Sequence, residues 1–116
     1  MGDSILSTWL AGKRRLHFTL IDPDKQLPSE AASLAALVEE FQSDAIMVGG
    51  STVGHEVVED VCRRIKELCS LPVILFPNKA ESVSAAADYL FFMMLMNSRD
   101  PRFLVGEQVK AAPHLR

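Results

Sequence analysis

Residues 45–76 read AIMVGGSTVGHEVVEDVCRRIKELCSLPVILF. The stretch opens on four apolar residues, Ala45 to Val48, and breaks at Gly49-Gly50-Ser51-Thr52. Apolar side chains then recur at Val57, Val58, Val61, Cys62, Ile65 and Leu68. That is the spacing of one helical face, and Glu59, Asp60, Arg63, Arg64, Lys66 and Glu67 fall on the other. A second short apolar run, Pro72 to Phe76, closes the stretch. Strand, helix, strand in this span is a βαβ unit, which requires two parallel strands and a right-handed crossover. Both strands are continuously apolar rather than alternating, as in sheets covered on both faces.

The same alternation extends in both directions. Leu16 to Ile21 (LHFTLI) reads as a strand that stops at Asp22-Pro23-Asp24, because proline cannot join a central ladder. Pro28-Ser29-Glu30 then opens a helical stripe at Ala31, Leu34, Ala35, Leu37, Val38 and Phe41. Beyond the central unit, Pro77-Asn78-Lys79 ends the third strand and Glu81 to Ala87 reads as a short, weak helix. Tyr89 to Met96 (YLFFMMLM) reads as a fourth strand, followed by Asn97-Ser98-Arg99-Asp100-Pro101 and a helix from about Arg102 to Ala111. The expectation is an α/β fold: one domain over 1–116, with 1–15 as a lead-in segment and four βα units in 16–113. A full (β/α)8 barrel takes roughly 250 residues, so four units form either a small open sheet or half of a barrel.

Composition narrows the function classes. The chain has 116 residues, 12 Lys+Arg against 15 Asp+Glu and a net charge of −3, without the basic surface that nucleic-acid binding needs. With 48% hydrophobic and 23% charged residues it is a core-forming composition. Cys62 and Cys69 share one helical face about two turns apart, ~10 Å, too far for a disulfide and not at zinc-site spacing. His17 reads as a hydrogen-bonded strand residue, and His55 and His114 have no Cys or His at metal-ligand spacing. The N-terminus carries its basic run after its apolar part, the reverse of a secretory signal. The longest apolar run, Tyr89 to Met96, falls far short of the ~20 residues needed to span a bilayer. The expected location is cytoplasmic, with no transmembrane segment and no nucleic-acid partner.

Parallel α/β folds bind ligands beyond the C-terminal ends of their strands, and each strand here ends in a polar or glycine-rich turn. Asp22-Pro23-Asp24-Lys25 offers hard oxygen ligands of the kind Mg²⁺ takes alongside phosphates and water, or else a plain helix-entry turn. Gly49-Gly50-Ser51-Thr52 offers open backbone N–H groups and two hydroxyls, fit for a phosphate or a metal shell, or else a tight turn. Asn97 and Arg99 suit a phosphate, or else a loop held by its own side chains. The Met93, Met94 and Met96 cluster suits core packing or a groove for a long apolar ligand.

Four segments taken together carry a resemblance: HFTLIDPDK (17–25), DAIMVGGS (44–51), LPVILFP (71–77) and ADYLFFMMLMNSRDPRFLVGEQVKAAP (87–113). In this order they resemble the geranylgeranylglyceryl phosphate synthase family, which includes the heptaprenylglyceryl phosphate synthases, over its N-terminal half. Leu20 stands where the family's first group has a lysine on glycerol phosphate, so the chain is similar to the second group and that contact does not carry over.

The resemblance implies a prenyltransferase of ether-lipid (phospholipid) biosynthesis on the first half of a TIM barrel. The family reaction joins sn-glycerol 1-phosphate to a polyprenyl (geranylgeranyl) diphosphate with Mg²⁺. Asp22 and Ser51 match its metal-binding positions, and Gly49, Gly50, Asn97 and Arg99 are candidate substrate contacts. The family's glutamate base, tyrosine and glycine-rich acceptor loops lie on later strands and have no counterpart among these residues. The corresponding expectation is little or no ether formation by this chain alone. Two other readings follow: a non-catalytic half-barrel that binds a diphosphate or prenyl ligand, and an assembly subunit that completes a barrel by pairing. Four strands closed on one side bare an apolar face, so a homo-oligomer is expected.

Overall fold

The structure is a computed structural model, and it describes residues 5–12, 15–49, 54–77, 80, 83–91 and 99–115. Four parallel strands, β1 (Phe18–Ile21), β2 (Ala45–Val48), β3 (Val73–Leu75) and β4 (Tyr89–Leu90), form one sheet in the order β1-β2-β3-β4. The register pairs Ile21 with Val48, Val48 with Leu75 and Leu75 with Leu90, so the C-terminal ends of the strands are level. A parallel sheet that adds each strand beside the last, through crossovers of one hand, curls in one direction.

The N-terminal ends are tied by side chains. β1 begins at Phe18 rather than Leu16, because His17 is spent on β2's approach. Its N–H donates to Asp44 Oδ2 at 2.8 Å, and its Nδ1 lies 3.1 Å from Ser43 Oγ. Ser43 is buried, also meets Thr19 Oγ1 at 3.0 Å, and donates to the His17 carbonyl. His17 is thus a hydrogen-bonded structural residue at the rim opposite the candidate site.

Two helices cover one face of the sheet. α2 (Pro28–Glu40) starts with Pro28 in its first turn, and the Glu30 carboxylate accepts the Leu27 N–H at 2.9 Å. α3 (His55–Leu68) begins two residues earlier than its apolar stripe indicates, after Gly54. Its polar face is laced by Arg63 on Glu59 at 2.8 Å and Arg64 on Asp60 at 3.2 Å, pairs spaced one turn apart. Ala31 and Ala35 of α2 and Val58, Val61, Cys62 and Ile65 of α3 pack on Ile21, Ile46, Val48, Val73 and Leu75. Each of these side chains is essentially out of water, the largest stabilising term the fold has. Burial pushes the Cys62 thiol up to about 12, and Cys69 is also buried and raised, so both are free, protonated core residues.

The third connection departs from the sequence reading. A helix was expected over 81–87; positions 81–82 lie outside the described residues, 83–84 are in neither helix nor strand, and 85–88 form turns and bends. The crossovers before it are long: His17 and Asp44, at the feet of β1 and β2, are 27 positions apart. Val73 and Asp88, at the feet of β3 and β4, are only 15 apart, which leaves no length for a packed helix. The local chemistry also competes, since Ser84 Oγ accepts the Ala86 N–H at 3.1 Å and so offers the backbone a turn instead. The expected β4 over 89–96 is seen as Tyr89–Leu90, and positions 92–98 fall outside the described residues. The last expected helix is present but begins wide. Arg102–Gly106 is a π-helical turn in which the Glu107 N–H reaches the Arg102 carbonyl, before α4 (Glu107–Ala111) and a 3₁₀ turn, Ala112–His114.

The other face of the sheet is only partly covered. α1 (Ile5–Gly12) lies against it through Trp9 and Phe18, whose rings are 5.1 Å apart, and none of its residues is buried. Leu20, Phe76, Tyr89 and Phe91, all in phase with this face, remain 43–58% exposed. The sheet is therefore closed on the helical side and open and apolar on the other.

Candidate functional site

The residues that leave the strands form a row along the C-terminal edge. The Gly49 N–H donates to the Ile21 carbonyl at 3.1 Å, the Phe76 N–H to Val48 at 2.8 Å, and the Phe91 N–H to Leu75 at 2.9 Å. Asp22, Gly49, Phe76 and Phe91 therefore follow one another in space although they are far apart in sequence.

Asp22 is half-buried and shaped by its own turn. Its Oδ1 accepts the Asp24 N–H at 2.9 Å, and its carbonyl accepts the Lys25 N–H at 3.0 Å. Pro23 is buried between them, which holds the turn in place. Asp22 Oδ2 has no protein partner among the described residues. Gly49 is at the matching position of β2, and a Cβ there would stand 3.2 Å from Leu20 Cδ1. The absent side chain leaves room for the Leu20 side chain, and the ladder bond to Ile21 sets the Gly49 backbone beside the acid.

Three candidate residues, Gly50, Ser51 and Asn97, lie outside the described residues. Arg99 is exposed. The loop-lock role considered for the 97–101 segment belongs instead to Asp100 and Arg102. The Arg102 N–H, Nε and Nη2 all bond the Asp100 carboxylate, at 3.0, 2.9 and 2.6 Å. Those bonds hold the Asp100 carboxyl below its usual range and raise Arg102.

Two residues escaped the sequence reading. Phe76 and Phe91 meet edge to face with ring centroids 6.0 Å apart, beyond β3 and β4. They make the far half of the edge apolar, while the near half, at β1 and β2, is polar. A signal was present: Ile74 and Phe76, and Tyr89 and Phe91, are alternate positions, so both rings fall on the open face.

This edge can take a hard cation and an anion at the β1–β2 end and an apolar chain at the β3–β4 end. No group of three His, Cys, Asp or Glu side chains is gathered among the described residues. Mg²⁺ does not require one, since it binds through one or two carboxylates plus phosphate oxygens and water. A half-buried carboxylate oriented by its own turn fits that cation as one such ligand. No helix among the described residues is long and apolar enough to cross a membrane.

The sequence profile of the PcrB family matches residues 8–116. Geranylgeranylglyceryl phosphate synthase from Pyrococcus furiosus is 52% identical over 101 residues, 86% of this chain and 40% of that protein. The enzyme of the same name from Methanobrevibacter smithii is 46% identical over 103 residues, 89% of this chain and 41% of that protein. Among solved structures, wild-type GGGPS from Thermoplasma volcanium superposes with a TM-score of 0.90 at 41% identity, over 97% of this chain and 46% of that one. The geranylgeranylglyceryl phosphate synthase of Thermoplasma acidophilum, solved in complex with its substrate sn-glycerol-1-phosphate, superposes with a TM-score of 0.88 at 38% identity. The chain spans about half the length of these relatives. Its four-stranded sheet is the first half of a TIM barrel.

Proposed function

Since the chain belongs to the PcrB family, we propose that it carries the metal- and diphosphate-binding half of a prenyltransferase that makes glyceryl ethers. In the whole reaction the sn-3 hydroxyl of sn-glycerol 1-phosphate forms a C–O bond to C1 of a polyprenyl diphosphate. The bond from C1 to the diphosphate oxygen breaks, diphosphate leaves, and the hydroxyl proton passes to a base. Asp22 and Ser51 would hold Mg²⁺, which when bound offsets the negative charge growing on the leaving group. Gly50, Asn97 and Arg99 would receive the diphosphate oxygens beside Gly49, whose own N–H is spent on the Ile21 carbonyl. Phe76 and Phe91 would carry the first isoprene units, an apolar chain on an apolar rim.

One observation carries this reading: the ends of β1 and β2 are hydrogen-bonded neighbours, so the Asp22 carboxylate and the Gly49 backbone share one end of the edge. The test is calorimetric titration of the chain with inorganic diphosphate, in Mg²⁺ and in EDTA. Binding in Mg²⁺ that disappears in EDTA is expected. Equal heats in the two buffers, or none in either, would overturn the reading.

The open face supports the expectation of pairing. Leu20, Phe76, Tyr89 and Phe91 on the sheet, with Leu6 and Leu10 of α1 (57% and 68% exposed), are more apolar surface than monomers ordinarily leave in water. A homo-oligomer is therefore proposed for the 116-residue chain in solution. Light scattering at micromolar concentration should give at least twice the chain mass, and a clean monomer refutes the pairing.

A further inference from the structure

We propose that Glu107 and His55 are positioning residues: from the outer helices they fasten the third connection and, through it, hold the apolar half of the edge in place. The proposal rests on the reading above of that half as the side that takes the prenyl chain.

Glu107 is 4% exposed and, among the described residues, is the one carboxylate in the interior. A buried charge persists only where hydrogen bonds replace its water. The Glu107 Oε2 accepts the Ala80 N–H at 2.8 Å, and its Oε1 lies 3.4 Å from Lys110 Nζ. The acid therefore reaches from α4 to a backbone amide just past the end of β3. His55, the first residue of α3, makes a matching hold three residues further on. Its Nδ1 lies 2.7 Å from the Val83 carbonyl oxygen, and its Nε2 lies 2.8 Å from Glu59 Oε2, so the ring is fixed at both nitrogens.

The later part of the connection packs on the core through Ala86 and Ala87, and the two holds fix its earlier part from outside. An open pocket of about 460 Å³ lies beside it, lined by Leu75, Val83, Ser84, Tyr89, Leu90 and Leu115. The backbone is pinned from outside at Ala80 and Val83. Its root is Phe76, whose N–H is bonded to Val48 and whose ring rests on Phe91. Releasing Ala80 or Val83 frees the chain that follows Phe76 and loosens the ring pair, while Asp22, on the other side of β2, keeps its own turn.

The test uses the full chain with Glu107→Ala, Glu107→Gln and His55→Ala. In hydrogen exchange read by mass spectrometry, the alanine variants should raise exchange across 80–88 and at Phe76 by about tenfold, the loss of one charge-assisted bond. Glu107→Gln keeps an oxygen acceptor for the Ala80 N–H and should stay near wild type. In Mg²⁺, geranylgeranyl diphosphate should bind the alanine variants about fivefold to tenfold more weakly, with inorganic diphosphate changed by less than about twofold. That split is what a general loss of stability would not produce. Unchanged exchange in both alanine variants overturns the proposal, as does equal weakening of the two ligands. Should Glu107→Ala fail to fold, His55→Ala, at a half-exposed side chain, decides alone. If the wild type binds neither ligand, the prenyltransferase reading falls, and exchange at 80–88 and Phe76 still decides the tethers.

Discussion

Asp22→Asn should weaken Mg²⁺-dependent binding of inorganic diphosphate by at least about 100-fold, beyond the range seen for residues that only support a metal ligand. The substitution isolates charge from shape. Asparagine keeps a side-chain oxygen to accept the Asp24 N–H, the 2.9 Å bond that forms the turn. Pro23 remains buried and the Lys25 N–H still finds the carbonyl of residue 22. What disappears is the negative charge that draws a divalent cation to this end of the edge. Asp22→Ala should bind no better, because it also loosens the turn. Asp60→Asn removes a charge from the polar face of α3, where Asp60 pairs with Arg64, and should leave binding as it was. Calorimetry in saturating Mg²⁺ reads all three. A loss below about threefold for Asp22→Asn would remove this acid from the site.

The second large effect is on stability. Ile46→Ala should lower the unfolding free energy by about 3–4 kcal/mol, within the range for deleting most of a buried aliphatic side chain. Ile46 is fully buried in β2, with strands on both sides and both helices above. Its neighbours in the cluster are short and branched or held in strands, so little can move in to fill the space. For a domain of this size the loss corresponds to a fall in Tm of about 12–25 °C. It is also a large fraction of the ~5–15 kcal/mol that holds such domains folded. Leu37→Ala, on α2 and 49% exposed, away from the face proposed to pair, should cost less than about 1 kcal/mol. Thermal unfolding followed by circular dichroism separates the two. Similar losses for both would refute the placing of the core between the sheet and its two helices.

How far the residues announced this structure depends on how local each determinant is. β2 was readable to the residue because Ser43-Asp44 and Gly49-Gly50 stop it at both ends. The α3 stripe was readable for the same reason, although its first turn, polar and after Gly54, was not. The short third connection was not readable from its own composition. Ala85, Ala86 and Ala87 favour a helix, and only the distance to the next strand foot overrides that preference. Asp22 was placed correctly at a strand end because Pro23 marks that end. The aromatic pair needed the phase of two strands at once. The Glu107 hold on Ala80 joins an acid and a backbone amide 27 positions apart, and no local pattern predicts it. Of the residues named beforehand, Asp22 and Gly49 lie side by side at one edge, and the groups proposed to brace that edge come from the outer helices.

The sheet order has a consequence for how the molecule is made. Every strand pairs with the one synthesised just before it, and each ladder closes a loop no longer than a single crossover. Closing one crossover at a time costs less chain entropy than a pairing across the whole chain would. A nascent chain can therefore lay β2 on β1 while β3 is still in the ribosome, so that folding keeps pace with translation. The sheet grows from one end, each new strand extending the edge away from β1.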